Sequence, residues 1–370
     1  MGFDVAVIGA GVVGLAVAEA LQRAGRSVVC IEAGPRVGAE TTSRNSEVVH
    51  AGLFYPPGSL KTELCIRGNA LLRDWCAREG VAFRGLGKWL VASTDKEVEA
   101  LESVYAHCRS VGVPGLRWLS DKEARSREPL LAIRAALEST SSAIVSAHEL
   151  CASLRDALEK HGGLVALRHR LVGASPYGPG YRLEIRLPEG KTWRLDVGAV
   201  VNAAGLEADT VAAMAGIDVD GVGYRQYFCK GNLFSVPGAR GRFSRLIYPI
   251  PPAGRGHLGA HVIPDMEGAI RLGPDAQWLA GRSFDYDVNP ARAQGVWEEA
   301  RRYWPSLRLR DMEPAYAGIR PKLRPDGRFA DFLIREESDR GLPGWVNLLG
   351  MESPGLTAAP AIGERLTQYL

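Results

Sequence analysis

The residues best placed to do chemistry stand at the start of the chain. Gly9-Ala10-Gly11-Val12-Val13-Gly14 is a G-x-G-x-x-G turn. The apolar run Val5-Ala6-Val7-Ile8 leads into it, and a helical run to Gly25 leads out. A second apolar run, Val28-Val29-Cys30-Ile31, then ends in Glu32. A strand, a glycine turn, a helix and a second strand in this order bind a dinucleotide. Gly9 makes the tight turn, Gly11 lets the backbone approach a pyrophosphate, and Gly14 lets helix and strand pack closely. The helix start offers free N–H groups and a positive dipole end to the phosphates. Glu32 follows Gly9 by 23 residues, near the roughly 20 expected of the acid that accepts from a ribose hydroxyl. An acid there suits an unphosphorylated ribose, hence FAD or NAD and not NADP.

Two further stretches carry chemistry of less definite kind. Thr41-Thr42-Ser43-Arg44-Asn45-Ser46 sets many hydrogen-bond donors in a row. It reads as a loop touching phosphates or a polar ring; the same residues also start capped helices. His50 stands alone in the apolar Val48 to Tyr55, where a satisfied core histidine and a functional one look alike.

These residues need a scaffold of alternating elements. Leu60 to Glu79, Asp95 to Val111, Ala147 to His161, about Glu207 to Gly216, Pro290 to Trp304 and about 356 to 369 are expected as helices. Trp89 to Ala92, Ala135 to Glu138, Ala143 to Val145 and the alternating run Leu164 to Val197 are expected as strands. Ala199 to Gly205 reads as a buried parallel strand with small residues at its end. Residues 224–290 are rich in strand signals, broken by Pro and Gly, and read as antiparallel. The fold class is therefore α/β, an α+β composite. Residues 1–85, 140–222 and 315–370 form a discontinuous nucleotide domain. Residues 86–139 and 223–314 form a substrate domain on a largely antiparallel sheet.

Composition bounds what else the chain does. It has 370 residues, 46% hydrophobic and 24% charged, with a net charge of +3. No basic stripe points to nucleic acid and no acidic run to a tail. The six cysteines have no C-x-x-C spacing, and no His/Cys cluster suggests a metal, so they read as buried, reduced thiols. The apolar N-terminus carries Asp4 at once and lacks a basic lead, unlike a signal peptide. No apolar run reaches the ~18 residues of a membrane span. A cytoplasmic location follows as the expectation.

The motifs together resemble a known family. They are the glycine turn, Ser43-Arg44-Asn45-Ser46 to His50-Ala51-Gly52, Pro56 to Lys61, and Val201-Asn202-Ala203-Ala204-Gly205. Further on stand Lys230-Gly231-Asn232, Leu246 to Pro251, Leu258-Gly259-Ala260-His261, Arg271 to Ala276, Gly318-Ile319-Arg320-Pro321 and Glu352 to Thr357. Over nearly its whole length the chain resembles the FAD-dependent D-amino-acid oxidase-like oxidoreductases with a glutathione-reductase-like FAD domain. Within them it is most similar to the L-2-hydroxyglutarate dehydrogenase/oxidase group.

The resemblance implies FAD, oxidation of a small 2-hydroxy acid, and hydride transfer to flavin N5. It implies cofactor contacts from Gly9, Gly11, Val12, Val13, Gly14, Glu32, Ala33, Thr42, Ser43, Arg44, Asn45, Ser46, Ala204 and Gly205. Gly350, Ser353, Pro354, Gly355, Leu356 and Thr357 would meet the flavin ring. Arg320 would clamp the substrate carboxylate, His261 would take the hydroxyl proton, and His50 would lie near the flavin. Lys230 and Tyr248 would receive a distal carboxylate. The flavin loop has no cysteine, so the flavin is expected to be non-covalent. Amine-oxidising relatives often carry an oxygen-activating lysine at the position of His257, which favours a dehydrogenase using a quinone over an oxidase using oxygen. A quinone user touches a membrane from the side. The alternatives are an amino-acid or sarcosine-type amine oxidase of the same fold and a flavin-binding subunit without turnover.

Overall fold

The computed structural model describes residues 2–250 and 259–370; Pro251, His257 and Leu258 lie outside the described residues. Two large sheets and one small sheet carry the architecture. In the first, Phe3–Ile8 runs parallel to Val28–Glu32 on one side and to the second half of Thr192–Asn202 on the other. Leu342–Leu349 and Leu164–Leu167 extend the parallel set outward. Val5 to Ile8 is buried on both faces, as the middle of a helix-covered parallel sheet must be. Thr192–Asn202 changes partner midway: residues 192–197 pair antiparallel with Gly180–Arg186, and 197–202 pair parallel with Phe3–Ile8. The expected hairpin strand and the expected buried strand are thus one element.

In the second sheet Lys88–Ala92, Ala135–Ser139 and Leu116–Ser120 join the strands between 227 and 278. Its pairings are antiparallel except that Leu246–Pro249 runs parallel to Lys88–Ala92. Side chains alternate strictly between two cores. Trp89, Val91, Ile247 and Val262 enter one, while Leu90, Leu246, Tyr248 and Ile263 face the nucleotide half. Glu313–Lys322 pairs along Tyr227–Ser235. Its backbone groups are satisfied in the second sheet. The small sheet joins Val48–Val49, Ala143–Val145 and Phe83–Arg84.

Helix limits follow local chemistry. Ser59 caps Leu60–Glu79 by accepting from Thr62 N, and Gly80 closes it in the left-handed region. Thr94 caps Asp95–Ser110 in the same way. The helix expected from Pro290 to Trp304 is shorter, a 3₁₀ turn at Pro290–Arg292 followed by Ala293–Ala300. Trp304 precedes Pro305, a position that disfavours helix, and Tyr303 and Trp304 turn into the core instead.

Backbone contact aims the functional helices. A methyl group on Gly363 of Gly355–Leu366 would meet Ala16 O of Val12–Arg23 at 2.6 Å, and one on Gly68 would fall on Thr357 O. Gly68→Ala therefore forces Leu60–Glu79 away from Gly355–Leu366. Overpacking of this kind costs about 1–3 kcal/mol. Thermal unfolding of the holoprotein should show a lower Tm; an unchanged Tm would mean the helix pair is not close-packed at Gly68.

Candidate active site

A cavity of about 690 Å³ opens between the two large sheets, within the range of ligand pockets. Two helix N-termini reach it. Gly11 to Gly14 brings the start of Val12–Arg23, and Ser353 to Leu356 brings the start of Gly355–Leu366. Opposite them stand Tyr248, His261 and Arg320 from the second sheet. Tyr248 and His261 come from neighbouring antiparallel strands, and their rings stack with centroids 3.5 Å apart.

His50 is held from several sides. Its N–H donates to Thr357 Oγ1 at 2.9 Å, and its carbonyl accepts from Asn69 Nδ2 at 2.8 Å. Its Nε2 lies 3.2 Å from Ser353 Oγ and its Nδ1 lies 3.3 Å from Lys88 Nζ. Burial, then the charges of Lys88 and His261, keep the imidazole well below its usual pKa, so it is neutral at neutral pH. Ser353 Oγ in turn lies 3.5 Å from Tyr55 Oη.

The cavity wall is cationic. Arg320 donates to Asp275 O at 3.2 Å from both terminal nitrogens and to Cys229 Sγ at 3.5 Å. Asp275 turns its carboxylate to Arg292 instead. Among the described residues no carboxylate pairs with Arg320. Glu352 accepts from Lys61 Nζ at 3.0 Å and from Lys322 Nζ at 2.7 Å. Burial would raise its pKa, but the two lysines outweigh burial and hold the carboxyl below the ordinary range.

Comparison with known proteins places this geometry. The family model "FAD dependent oxidoreductase", DAO, matches residues 4–369. The chain belongs to the DAO family of FAD-dependent oxidoreductases. An L-2-hydroxyglutarate dehydrogenase, mitochondrial, of Arabidopsis thaliana is 38% identical, covering 98% of this chain and 82% of the relative. A glycerol 3-phosphate dehydrogenase of Caloramator mitchellensis is 31% identical over 97% of this chain and 72% of its own. An L-alpha-glycerophosphate oxidase from Mycoplasma pneumoniae, solved with FAD bound, aligns over 100% of this chain and 94% of its own with a TM-score of 0.89 at 24% identity. That last likeness shows the fold.

The residues of this flavoenzyme fit FAD. A methyl group on Gly14 would fall on Gly9 O, and one on Gly9 would meet Ala203 O at 2.6 Å, so the turn lies tight on the helix start. Arg44 Nε is a buried donor with no partner among the described residues. It lines the cavity beside Thr42, Asn45 and Ser46. A charged donor left without an acceptor is costly, and an anionic ligand would supply one.

The expected cofactor residues divide. Gly11, Val12, Val13, Gly14, Thr42, Arg44, Asn45, Ser46, Gly205, Ser353, Pro354, Gly355 and Leu356 line the cavity. Glu32 sits at its strand end, where its carboxylate accepts from Ala10 N at 2.8 Å and Gly34 N at 2.6 Å. Gly9, Ala204, Gly350 and Thr357 stand behind the lining, and Ala33 and Ser43 are exposed. Ser43 Oγ donates to Ala39 O, which is local turn chemistry. Gly350 N donates to Gln226 Oε1.

One substrate expectation is corrected. Lys230 does not face the cavity. Cys229 and Gly231 line it, so Lys230 between them points the other way, to Asp285 at 3.1 Å. The sequence reading also missed residues that line the cavity or stand directly behind its wall. Lys61 stands in the first turn of its helix, against the dipole, and that conflict was a readable signal. Lys88 opens an otherwise apolar strand, a second such signal. Lys322 shares a strand face with Arg320.

Arg44→Met removes the unpartnered donor while keeping the side chain's bulk. FAD affinity should fall about 10-fold or more, since a hydrogen bond to a charged group is worth roughly 1.5–3 kcal/mol. Titration of apoprotein with FAD, read by fluorescence, checks this. Unchanged affinity would remove Arg44 from the cofactor site.

Proposed function

We propose that this flavoenzyme oxidises a small 2-hydroxy diacid, L-2-hydroxyglutarate in the first instance, to the 2-oxo acid. The observation that carries the reading is the charge of the cavity wall. Arg44, Lys61, Arg320, Lys322 and Arg328 line it against only Glu352 and Asp326 among the described residues. Arg320 in particular holds its charge toward the cavity with neutral partners only. A guanidinium in that state calls for a carboxylate, which it pairs bidentately. The Arabidopsis relative supports the choice of diacid.

Each residue then has a task. Arg320 holds the carboxylate next to the reacting carbon. Lys322, two residues along the same strand face and so about 6.6 Å away along the backbone, meets the distal carboxylate in place of Lys230, with Tyr248 beside it. An imidazole, His261 or His50, takes the hydroxyl proton. FAD, when bound, accepts the hydride from the carbon that bears the hydroxyl. The start of Gly355–Leu366 turns its N–H groups and dipole toward the cavity, where they stabilise negative charge. The electrons leave to a quinone or to oxygen. Among the described residues no helix is long and apolar enough to cross a membrane, so contact with a quinone would be peripheral.

The direct test is anaerobic mixing of the yellow protein with a panel of acids, followed by air. L-2-hydroxyglutarate should bleach the flavin, and the bleaching should persist in air. Bleaching by glycerol 3-phosphate alone, or by glycine or sarcosine alone, would overturn the substrate. Rapid reoxidation with peroxide would make the protein an oxidase. Arg320→Ala should raise the substrate half-saturation about 30-fold or more, because stranding a buried charge partner costs roughly 2–5 kcal/mol. His261→Ala should slow flavin reduction roughly 10²–10⁴-fold if His261 is the base, with flavin still bound. A loss under about tenfold would assign the proton to another group.

A further inference from the structure

Lys88 is a buried charge-bearing residue to which the proposed reaction assigns no task. It opens the strand Lys88–Ala92 and is 1% exposed. A buried lysine is expected to have a carboxylate partner. Among the described residues Lys88 has none. What surrounds it is specific. His50 Nδ1 lies 3.3 Å away, on the loop after Val49. The Tyr248 ring, from the neighbouring parallel strand, has its centre 4.1 Å from Nζ. Cys65 faces it from the helix Leu60–Glu79, and burial pushes that thiol up to about 12, so it stays neutral. Ser139 is its cross-strand partner on the other side. His261 lies next to His50 and Tyr248. No negative charge stands among these groups, and burial brings the Lys88 ammonium down to about 7.

The contact between Lys88 and His50 couples the tautomer of the imidazole to the charge of the lysine. An uncharged amine at Nζ has a lone pair that can accept from Nδ1–H, the tautomer in which the ring proton points at Lys88. Nε2 is then the bare nitrogen, turned toward Ser353 and the cavity. An ammonium at Lys88 would do the reverse. It would donate to Nδ1 and put the ring proton on Nε2, where it blocks acceptance from a substrate hydroxyl.

We propose that Lys88 is a positioning residue and proton store for the oxidation, acting through His50. As the hydroxyl O–H bond breaks, its proton bonds to His50 Nε2. The Nδ1 proton passes to Lys88 Nζ, leaving a neutral imidazole beside a lysine ammonium. The C–H hydrogen leaves with its electron pair to the flavin, and the C=O bond forms. Proton and hydride are both accounted for without a further reactant. This rests on the reading that the substrate is a hydroxy acid, and it assigns the base to His50 rather than His261.

The test is the anaerobic half-reaction of the holoenzyme with L-2-hydroxyglutarate, followed against pH and against the deuterium content of the water. In the unmodified protein the reduction rate should rise with pH through about 7 and then level. Its dependence on deuterium fraction should be bowed, because two protons move. Lys88→Met keeps the length of the side chain and removes the nitrogen. It should lose the inflection, fall about 100-fold and give a linear deuterium dependence. Substrate half-saturation should change by less than roughly threefold, because binding is not what Lys88 supplies. Lys88→Arg, which takes up no proton, should be as slow as Lys88→Met. A linear deuterium dependence in the unmodified protein would overturn the relay whatever the variants do. So would an inflection near 7 surviving in Lys88→Met, or an Arg variant with full rate. If no hydroxy acid bleaches the unmodified protein, the substrate reading fails, and the relay fails with it. If bleaching occurs and only the inflection or the bowing is absent, the relay alone fails.

Discussion

The site depends on backbone touching backbone at a few glycines. The cavity needs two helix N-termini at one place, and a helix axis is aimed by what it packs against. Gly14 lets Val12–Arg23 lie on the turn at Gly9, and Gly363 lets Gly355–Leu366 lie on Val12–Arg23 at Ala16 O. Gly68 fixes the same final helix from its other side. Side chains there would hold the helices apart and swing their starts off the cavity. The influence of the free N–H groups and dipoles at those starts fades within one turn, so an ångström of separation matters more here than a charge at longer range. His50 shares the constraint, because its N–H is tied to Thr357 on that final helix.

The second sheet meets this frame with a face chosen by strand period. Lys88, Tyr248 and His261 come from three successive strands, and all turn toward the nucleotide half. The opposite face carries Trp89, Ile247 and Val262 into a separate apolar core. A sheet with one dry core face can present polar groups on the other without loss of cohesion. The tight stack of Tyr248 on His261 then limits where the imidazole can turn.

Much of the fold was legible. Leu60–Glu79 was readable to the residue because Ser59 and Gly80 punctuate it on both sides. The glycine turn was readable because strand, helix, second strand and Glu32 agree with one another. Less legible were pairings that cross the chain. Nothing local in Glu313–Lys322 says that its partner is Tyr227–Ser235. The site divides the same way. Arg44 and Arg320 came from motifs. Lys230 and Lys88 look alike in sequence, each a lysine at an apolar strand. Register alone sends one to Asp285 and the other to His50. The phase of each strand thus separates an ion pair at Lys230 from a contact with His50 at Lys88.

The two charge features of the site act on each other. The wall carries surplus positive charge, and behind it burial lowers the proton affinity of His50 and Lys88. Their neutral forms are therefore favoured before substrate arrives. A diacid entering the cavity brings two negative charges to Arg320 and its neighbours. Those charges favour the imidazolium, so His50 is a better base once the diacid is bound. Linkage makes the effect reciprocal, since protonation of the pair strengthens the hold on the anion. Within the proposed reaction, the base is thus weakest in the free protein, where a bound proton would be idle. It is strongest in the complex, where the hydroxyl must give its proton up. A substrate with one carboxylate would bring less negative charge to His50 and activate the base less, so the diacid preference bears on the chemical step as well as on binding.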